Sequence, residues 1–140
     1  MNISKFTQKS VEILNNLEKI AYDFGAQEIA QEHLLYGMLT VEDSLIKKLI
    51  EKMEIDSDVF LAQVEGAVRK RPQVQGGQVY IGQDLNKVLV YAENEAKALG
   101  DEYVSVEHLF LSLLRKPSKE IKQLFHDFQI DRERFLQALS

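Results

Sequence analysis

The sequence QEHLLYGML at residues 31–39 recurs in altered form as VEHLFLSLL at residues 106–114, 75 positions later. Sliding the chain on itself by 75 positions aligns residues 6–64 with residues 81–139 without a gap, and 16 of the 59 aligned positions are identical. Unrelated sequences of ordinary composition would share about four. Two copies are too few for a solenoid, so we expect one compact domain with pseudo-twofold symmetry.

Each copy predicts four helices, because apolar residues recur at helical spacing in four successive segments. In the first copy, Thr7 is a candidate N-cap, and Gly25 stands where a left-handed residue commonly ends a helix. Asp56 and its equivalent Asp131 are candidate caps for the fourth helix of each copy, and Gly82 precedes the first helix of the second copy. Strand signals are weak. We therefore expect an all-α fold of two tandem four-helix repeats, about eight helices in total, with no sheet of consequence.

The segment RKRPQVQGGQVY at residues 69–80 contains one of the two prolines and a Gly-Gly pair, which is typical of a linker. The prediction is a single domain over residues 1–140, with repeat 1 at 6–71, a linker at 72–80 and repeat 2 at 81–140. Identical apolar residues in the two copies are the candidate core. We expect burial of Leu14, Leu34, Leu39, Leu49, Ile55 and Phe60, and of their equivalents Leu89, Leu109, Leu114, Leu124, Ile130 and Phe135.

Composition excludes several classes of protein. The net charge is −5, and acidic and basic residues are interspersed, which argues against nucleic acid as a partner. No cysteine is present, so disulfides and thiolate zinc sites are impossible. No apolar run approaches the roughly 20 residues that span a bilayer, and the N-terminus lacks the apolar stretch of a signal peptide. We expect a cytoplasmic protein that does not bind membranes.

The repeated Glu-His-Leu invites a catalytic or metal-binding interpretation, but a helix start explains it better. Ala30 and Ser105 fall in the N-cap position, and Glu32 and Glu107 at the second helical position are favoured by the helix dipole. Adjacent helical residues point about 100° apart, so the glutamate and the histidine that follows it do not converge on one ion. The chain contains no zinc-protease, phosphate-loop, dinucleotide or nucleophile-elbow motif. We expect no catalytic residue, metal site or cofactor in this chain.

The duplicated four-helix unit, opened by Phe6-Thr7 and carrying an [I/V]-x-x-E-H-L start to its second helix, resembles the Clp repeat domain over essentially all 140 residues. That domain is the N-terminal module of ring-forming AAA+ unfoldases. The segment RPQVQGGQVY, followed by QDLNKVL at residues 83–89, is similar to the inter-repeat linker of the ClpB-type disaggregases. The resemblance implies a binding domain without enzymatic activity. It would belong to a hexameric parent whose ATPase modules, absent here, bind ATP and magnesium.

Comparison of the two copies indicates where a partner would bind. Val90 and Tyr91 lie off the apolar stripe of their helix, and their equivalents in repeat 1 are Asn15 and Asn16. Apolar residues gained in one copy predict either an interaction surface or packing against the other repeat. The resemblance implies a groove between the repeats that takes exposed apolar segments of unfolded or aggregated clients. The matched positions are Thr7, Leu89, Tyr91 and Leu109, with Asp101 and Glu107 at the rim. Thr7 could equally be a simple N-cap, and Leu109 plain core.

A second function is implied by ClpC-type domains, in which the glutamates matched by Glu32 and Glu107 hold the guanidinium of phosphoarginine. The threonine that commonly precedes each glutamate in ClpC is Gln31 or Val106 in this chain. The loss of a hydroxyl donor beside a helix N-terminus removes part of a phosphate-binding site. A docking surface for adaptor proteins is compatible with either function. We expect the isolated domain to be a monomer.

Overall fold

The computed structural model describes residues 3–74 and 76–140. After a 3₁₀ turn at Ile3–Lys5, this part of the chain forms nine α-helices and two short strands. The helices are α1 (Gln8–Asn15), α2 (Leu17–Asp23), α3 (Gln31–Thr40), α4 (Leu45–Lys52), α5 (Ser57–Arg69), α6 (Gln83–Ala98), α7 (Val106–Arg115), α8 (Lys119–Asp127) and α9 (Arg132–Leu139). The strands are β1 (Glu28–Ile29) and β2 (Tyr80–Ile81).

The all-α class and the repeated four-helix order are confirmed. The helices α3, α4 and α5 occupy the same sequence positions in repeat 1 as α7, α8 and α9 in repeat 2. The first helix differs, because α6 runs unbroken for 16 residues whereas its equivalent is interrupted at Asn16 into α1 and α2. Asparagine is poorly suited to a helix interior, since its side chain competes for backbone hydrogen bonds.

The helix ends follow the predicted capping residues. Thr7, Asp56 and Asp131 each accept a backbone N–H from the first turn of the helix that follows. Gly25 and Gly100, each two residues after the last residue of α2 or α6, have φ angles of +72° and +75°, a conformation that favours glycine. Local sequence therefore specifies where these helices begin and end.

The two repeats are joined by a reciprocal exchange of backbone hydrogen bonds. The strands β1 and β2 pair in parallel with Ile29 opposite Ile81, and an isolated parallel bridge joins Phe6 to Val104. These two pairs are equivalent, because each is reached from the other by the 75-residue shift. In one pair the N–H of Thr7 donates to the carbonyl of Val104, and in the other the N–H of Gly82 donates to the carbonyl of Ile29, both at 2.9 Å. The start of each repeat is thus attached to the segment that precedes the second helix of the other.

One apolar core runs through both repeats. The helix pairs α4–α9 and α5–α8 each join repeat 1 to repeat 2, and they are equivalent to one another. Phe60 of α5 is fully buried and meets Phe128 of repeat 2 edge to face, with ring centroids 4.9 Å apart. Neither repeat therefore has a core independent of the other.

Three of the twelve predicted core residues are only partly buried. Leu14 lies at the end of α1, Ile55 in the turn between α4 and α5, and Leu114 in the last turn of α7. Their equivalents in the other repeat, Leu89, Ile130 and Leu39, are buried, so position within the repeat does not account for the difference. The other nine are buried: Leu34, Leu39, Leu49, Phe60, Leu89, Leu109, Leu124, Ile130 and Phe135.

Within residues 3–74 and 76–140, no helix combines the length and the apolar character needed to cross a membrane.

Candidate functional site

The two Glu-His-Leu segments start α3 and α7, with Ala30 and Ser105 as the N-caps. His33 Nδ1 accepts the backbone N–H of Ala30 at 2.8 Å, and His108 Nδ1 accepts that of Ser105 at 2.8 Å. Each histidine does what a glutamate or glutamine does at the third position of a capping box. Both imidazoles are buried, so the structural interpretation of the motif is confirmed.

The second ring nitrogen distinguishes the two histidines. His108 Nε2 lies 2.8 Å from Asp101 Oδ2, whereas His33 Nε2 is buried without a hydrogen-bond partner among the described residues. The equivalent of Asp101 in repeat 1 is Ala26, which offers no acceptor. Burial, together with the nearby positive charge of Arg71, lowers the pKa of His33 from 6.5 to about 4. His33 is therefore neutral at pH 7.

Glu32, at the second position of α3, is buried. Only 1% of the residue is exposed, and Arg71 Nη1 lies 3.9 Å from its Oε2. The other end of the same guanidinium reaches Glu28, with Nη2 3.2 Å from Oε2. Burial raises the pKa of the Glu32 carboxyl above its usual value. Because the chain's own arginine faces this carboxylate, an external guanidinium has no access to it, and the phosphoarginine prediction at Glu32 is not supported by the geometry.

Thr7, Asp101 and Glu107 lie near the bridge between Phe6 and Val104, where the start of repeat 1 pairs with repeat 2. The N–H of Thr7 donates to the carbonyl of Val104, three residues after Asp101 and three before Glu107. Asp101 is exposed, and Glu107 is half-buried. Tyr103 beside them is 51% exposed. This junction presents two carboxylates and one exposed aromatic ring at the N-terminal end of α7.

Leu89 and Leu109 do not lie on the surface. Their residues are 2% and 0% exposed, and both belong to the shared core. A peptide could not touch them unless the core opened. The prediction that they contact a bound segment is therefore wrong, and both belong to the core beneath the surface.

Val90 and Tyr91 lie on the middle of α6, and only one of them is freely exposed. Val90 is 63% exposed. The ring of half-buried Tyr91 lies 6.0 Å from Arg115 Cζ and 5.0 Å from Lys116 Nζ at the C-terminal end of α7. Glu107 and Arg115 are eight residues apart on α7, about 12 Å at the helical rise. The predicted site residues therefore divide between the two ends of α7.

Gln31 links the repeats in a way that sequence reasoning missed. The side chain is buried, and its Nε2 donates to the carbonyls of Asp84 at 2.8 Å and Lys116 at 2.9 Å. Its Oε1 accepts the N–H of Ser118 at 2.8 Å. All three partners belong to repeat 2, so no local pattern could have indicated this role.

A buried ion pair holds Arg115 beside Tyr91. Glu95 is 1% exposed and accepts from Arg132 Nη1 at 2.7 and 2.8 Å and from Arg115 Nη2 at 3.3 Å. A sequence signal existed, because Glu95 falls on the apolar stripe at the position where repeat 1 has Ile20. In the part of the chain that the structure describes, no group of three or more His, Asp or Glu residues could hold a metal ion.

Residues 5–128 match the family described as the Clp repeat (R) N-terminal domain. The chain is 39% identical over 145 residues to the chaperone protein ClpB of Nitratidesulfovibrio vulgaris, covering 99% of this chain and 17% of that protein. It is 33% identical over 144 residues to the chaperone protein ClpB of Bacillus anthracis, covering 99% of this chain and 16% of that protein. The chain thus spans about a sixth of the length of these curated relatives.

Solved structures share the fold at lower identity. The Hsp104 N-terminal domain from Candida albicans matches with a TM-score of 0.84 and 21% identity, over 97% of this chain and 90% of that one. A ClpV N-domain in complex with a VipB peptide matches with a TM-score of 0.73 and 20% identity, over 90% of this chain and 80% of that one. These likenesses concern the fold alone, whereas the family match covers most of the sequence. The chain therefore belongs to the Clp repeat (R) N-terminal domain family.

Proposed function

We propose that this chain is the N-terminal substrate-recognition domain of a ClpB-type AAA+ chaperone and captures exposed apolar segments of unfolded or aggregated proteins. The ClpB relatives and the family membership support this assignment. A fold relative, the ClpV N-domain, was solved with a bound peptide. The family resemblance implies that the hexameric parent hydrolyses ATP and threads its clients through a central pore. This domain would bind clients without ATP or magnesium.

The observation that carries the proposal is the exposure of Val90. This side chain is 63% exposed in the middle of α6, where repeat 1 has Asn15. Tyr103, at the junction between the repeats, is 51% exposed. Val90 and Tyr103 are two of nine large apolar or aromatic residues that are exposed among the described residues, and such residues mark an interaction surface where they form a contiguous patch.

The distance between the two ends of α7 suits an extended segment. Asp101 and Glu107 lie near its start and Tyr91 near its end, about 12 Å away at the helical rise. About four residues of extended chain cover that distance at roughly 3.3 Å per residue. Binding should be weak, since a shallow surface that accepts many sequences makes few specific hydrogen bonds while the peptide loses chain entropy.

The test is titration of a fluorescently labelled, unstructured peptide rich in leucine and phenylalanine into Val90→Asn and unchanged domain. We expect several-fold weaker binding to the variant, with thermal stability within about 0.5 kcal/mol because the side chain is exposed. The matched control is Val59→Asn, at a valine that is 51% exposed on α5 of the other repeat. Equal affinity of both variants for the peptide would refute the assignment.

The same titration with a phosphoarginine peptide tests the ClpC-type alternative. Since Arg71 covers Glu32, that alternative depends on half-buried Glu107. Loss of phosphoarginine binding in Glu107→Ala, with no effect of Val90→Asn on either peptide, would favour the alternative. An adaptor-docking role would leave both peptides unbound by the unchanged domain.

A further inference from the structure

Repeat 1 has an open pocket at the place where repeat 2 holds an aromatic ring. The pocket lies between α1 and α3, has a volume of about 530 Å³ and is lined in part by Asn16, Gly37 and Thr40. We call it the Asn16 pocket. The 75-residue shift places Tyr91 at the position of Asn16 and Arg115 at that of Thr40. The same pair of helices therefore carries a tyrosine in one repeat and leaves space in the other.

Repeat 2 shows which chemistry this framework accepts. The ring of Tyr91 lies 5.0 Å from Lys116 Nζ and 6.0 Å from Arg115 Cζ, so a cation approaches it from the end of α7. In repeat 1 the residues equivalent to Arg115 and Lys116 are neutral, Thr40 and Val41. Repeat 1 thus lacks both the ring and the cations of this arrangement.

The charge around the Asn16 pocket is negative. Glu12 and Glu42 line it, where repeat 2 has Lys87 and Pro117. The C-terminal end of α3 lines it as well, and its carbonyl groups add partial negative charge. Lys9 Nζ pairs with Glu12 Oε2 at 3.1 Å and donates to the carbonyl of Glu42 at 3.1 Å, which offsets part of this charge. The side chains of Lys9 and Glu12 are about half exposed, and such surface pairs contribute little, so the two rim carboxylates still outnumber the one cation. The rim therefore favours a cationic group from outside.

We propose that the Asn16 pocket binds an aromatic side chain flanked by lysine or arginine in an unfolded partner polypeptide. The ring would occupy the place that Tyr91 has in repeat 2, and the flanking cations would meet the carboxylates of Glu12 and Glu42. The amides of Asn15 and Asn16 offer hydrogen bonds to a tyrosine hydroxyl. The volume lies within the usual range of about 300–1,000 Å³ for small-ligand pockets. This inference does not rest on apolar capture at Val90, which lies in the other repeat.

The first experiment uses an unstructured peptide with a single tyrosine between arginine and lysine. Two matched peptides replace the flanking residues by glutamates or the tyrosine by alanine. NMR of the labelled domain should show shifts of the Asn16, Gly37 and Thr40 amides with the first peptide. The other two should bind at least about fivefold more weakly, since the glutamates of one would face the like charges of Glu12 and Glu42 and the other lacks the ring. Shifts confined to the Val90 region would overturn the proposal.

The second experiment fills the pocket with a side chain of the domain itself. Asn16→Tyr supplies the ring of repeat 2 and should weaken binding of the arginine-tyrosine-lysine peptide by about tenfold. Asn94→Tyr, at an exposed asparagine of α6, is the matched control and should bind as the unchanged domain does. Glu42→Lys, at an exposed residue, should weaken binding because it replaces a negative charge at the rim by a positive one. This variant tests the proposal if Asn16→Tyr does not fold.

Unchanged affinity of Asn16→Tyr, or of Glu42→Lys where the first is unfolded, would refute the proposal. Concentration-dependent dimerisation of the domain alone, with shifts of the same amides, would assign the pocket to a second copy of this chain and overturn a client role. Val90→Asn should leave binding of this peptide unchanged, so failure at one surface is distinguishable from failure at the other.

Discussion

Two histidines at equivalent positions, His33 and His108, make the same bond through Nδ1 and differ at Nε2. His108 is paired with Asp101, whereas His33 is buried beside Arg71 with no acceptor among the described residues. Because Nδ1 accepts a backbone N–H in both, the proton of the neutral ring is on Nε2. Protonation of His33 would bury a second cation beside a guanidinium, and this explains its low pKa.

We predict that the free energy of unfolding decreases as the pH falls from about 6.5 to 4. The folded-state pKa of His33 is about 4 against 6.5 for the free side chain, so the unfolded chain binds the extra proton in this window. The loss attributable to His33 should approach roughly 3 kcal/mol, since one pKa unit corresponds to about 1.4 kcal/mol. Denaturant unfolding at several pH values measures it.

The variant that isolates this effect is His33→Gln, because glutamine can still accept the N–H of Ala30 and does not titrate. Glu32, whose pKa is raised, contributes with the opposite sign, since it favours the folded state at low pH. Exposed His126→Gln is the matched control. If His33→Gln kept the full pH dependence of the unchanged domain, the explanation through His33 would be wrong.

At the scale of elements, two helix starts within repeat 2 use their N-cap residues differently. Asp131 caps α9 through its carboxylate, which accepts the N–H of Arg134 at 2.8 Å. Ser118 occupies the same position before α8, but its hydroxyl is buried without a partner among the described residues. Ser118 instead donates its backbone N–H to Gln31 of the other repeat. A residue typical of an N-cap thus does not by itself show that the side chain caps.

We therefore predict different costs for two alanine substitutions at N-caps. Asp131→Ala should lower the free energy of unfolding by about 1 kcal/mol, the usual value of a capping side chain. Ser118→Ala should change it by less than about 0.5 kcal/mol, because no capping bond is lost and an unpaired buried hydroxyl is removed. Urea unfolding of both variants decides between them. A larger loss for Ser118→Ala than for Asp131→Ala would contradict the observed cap geometry.

At the scale of the whole molecule, the repeats form one folding unit. The start of each repeat pairs with the backbone of the other, Phe6 with Val104 and Ile81 with Ile29. Their cores meet at Phe60 and Phe128. A separated repeat would expose the apolar surface that its partner covers. It would also leave the bonds of Gln31 unmade.

We predict that residues 1–74 alone do not fold cooperatively. Circular dichroism should show reduced helicity and no sigmoidal thermal transition for this fragment, since burial of apolar surface supplies most of the stability of a small domain. As a control, the intact folded domain cut between exposed Gly76 and Gly77 should remain a single species in size-exclusion chromatography. A cooperative melt of the fragment would show that repeat 1 is an independent domain.

The sequence by itself determined the duplication, the helix order, most of the core and the principal caps. These features depend on residues close in the chain: apolar periodicity, Thr7, Asp56, Asp131 and the left-handed glycines. The comparison with Asn15 placed Val90 outside the apolar stripe, but it left an interaction surface and packing against the other repeat both open.

Only the tertiary structure decided which residues of the candidate site are accessible. Leu89 and Leu109 matched the expected groove but are covered by the core, and Glu32 is covered by Arg71 from the end of repeat 1. The sequence showed two asparagines at positions 15 and 16 but did not indicate the Asn16 pocket. In each case the deciding neighbour lies far along the chain or on another helix, and exposure depends on how helices pack rather than on the residues beside a given position.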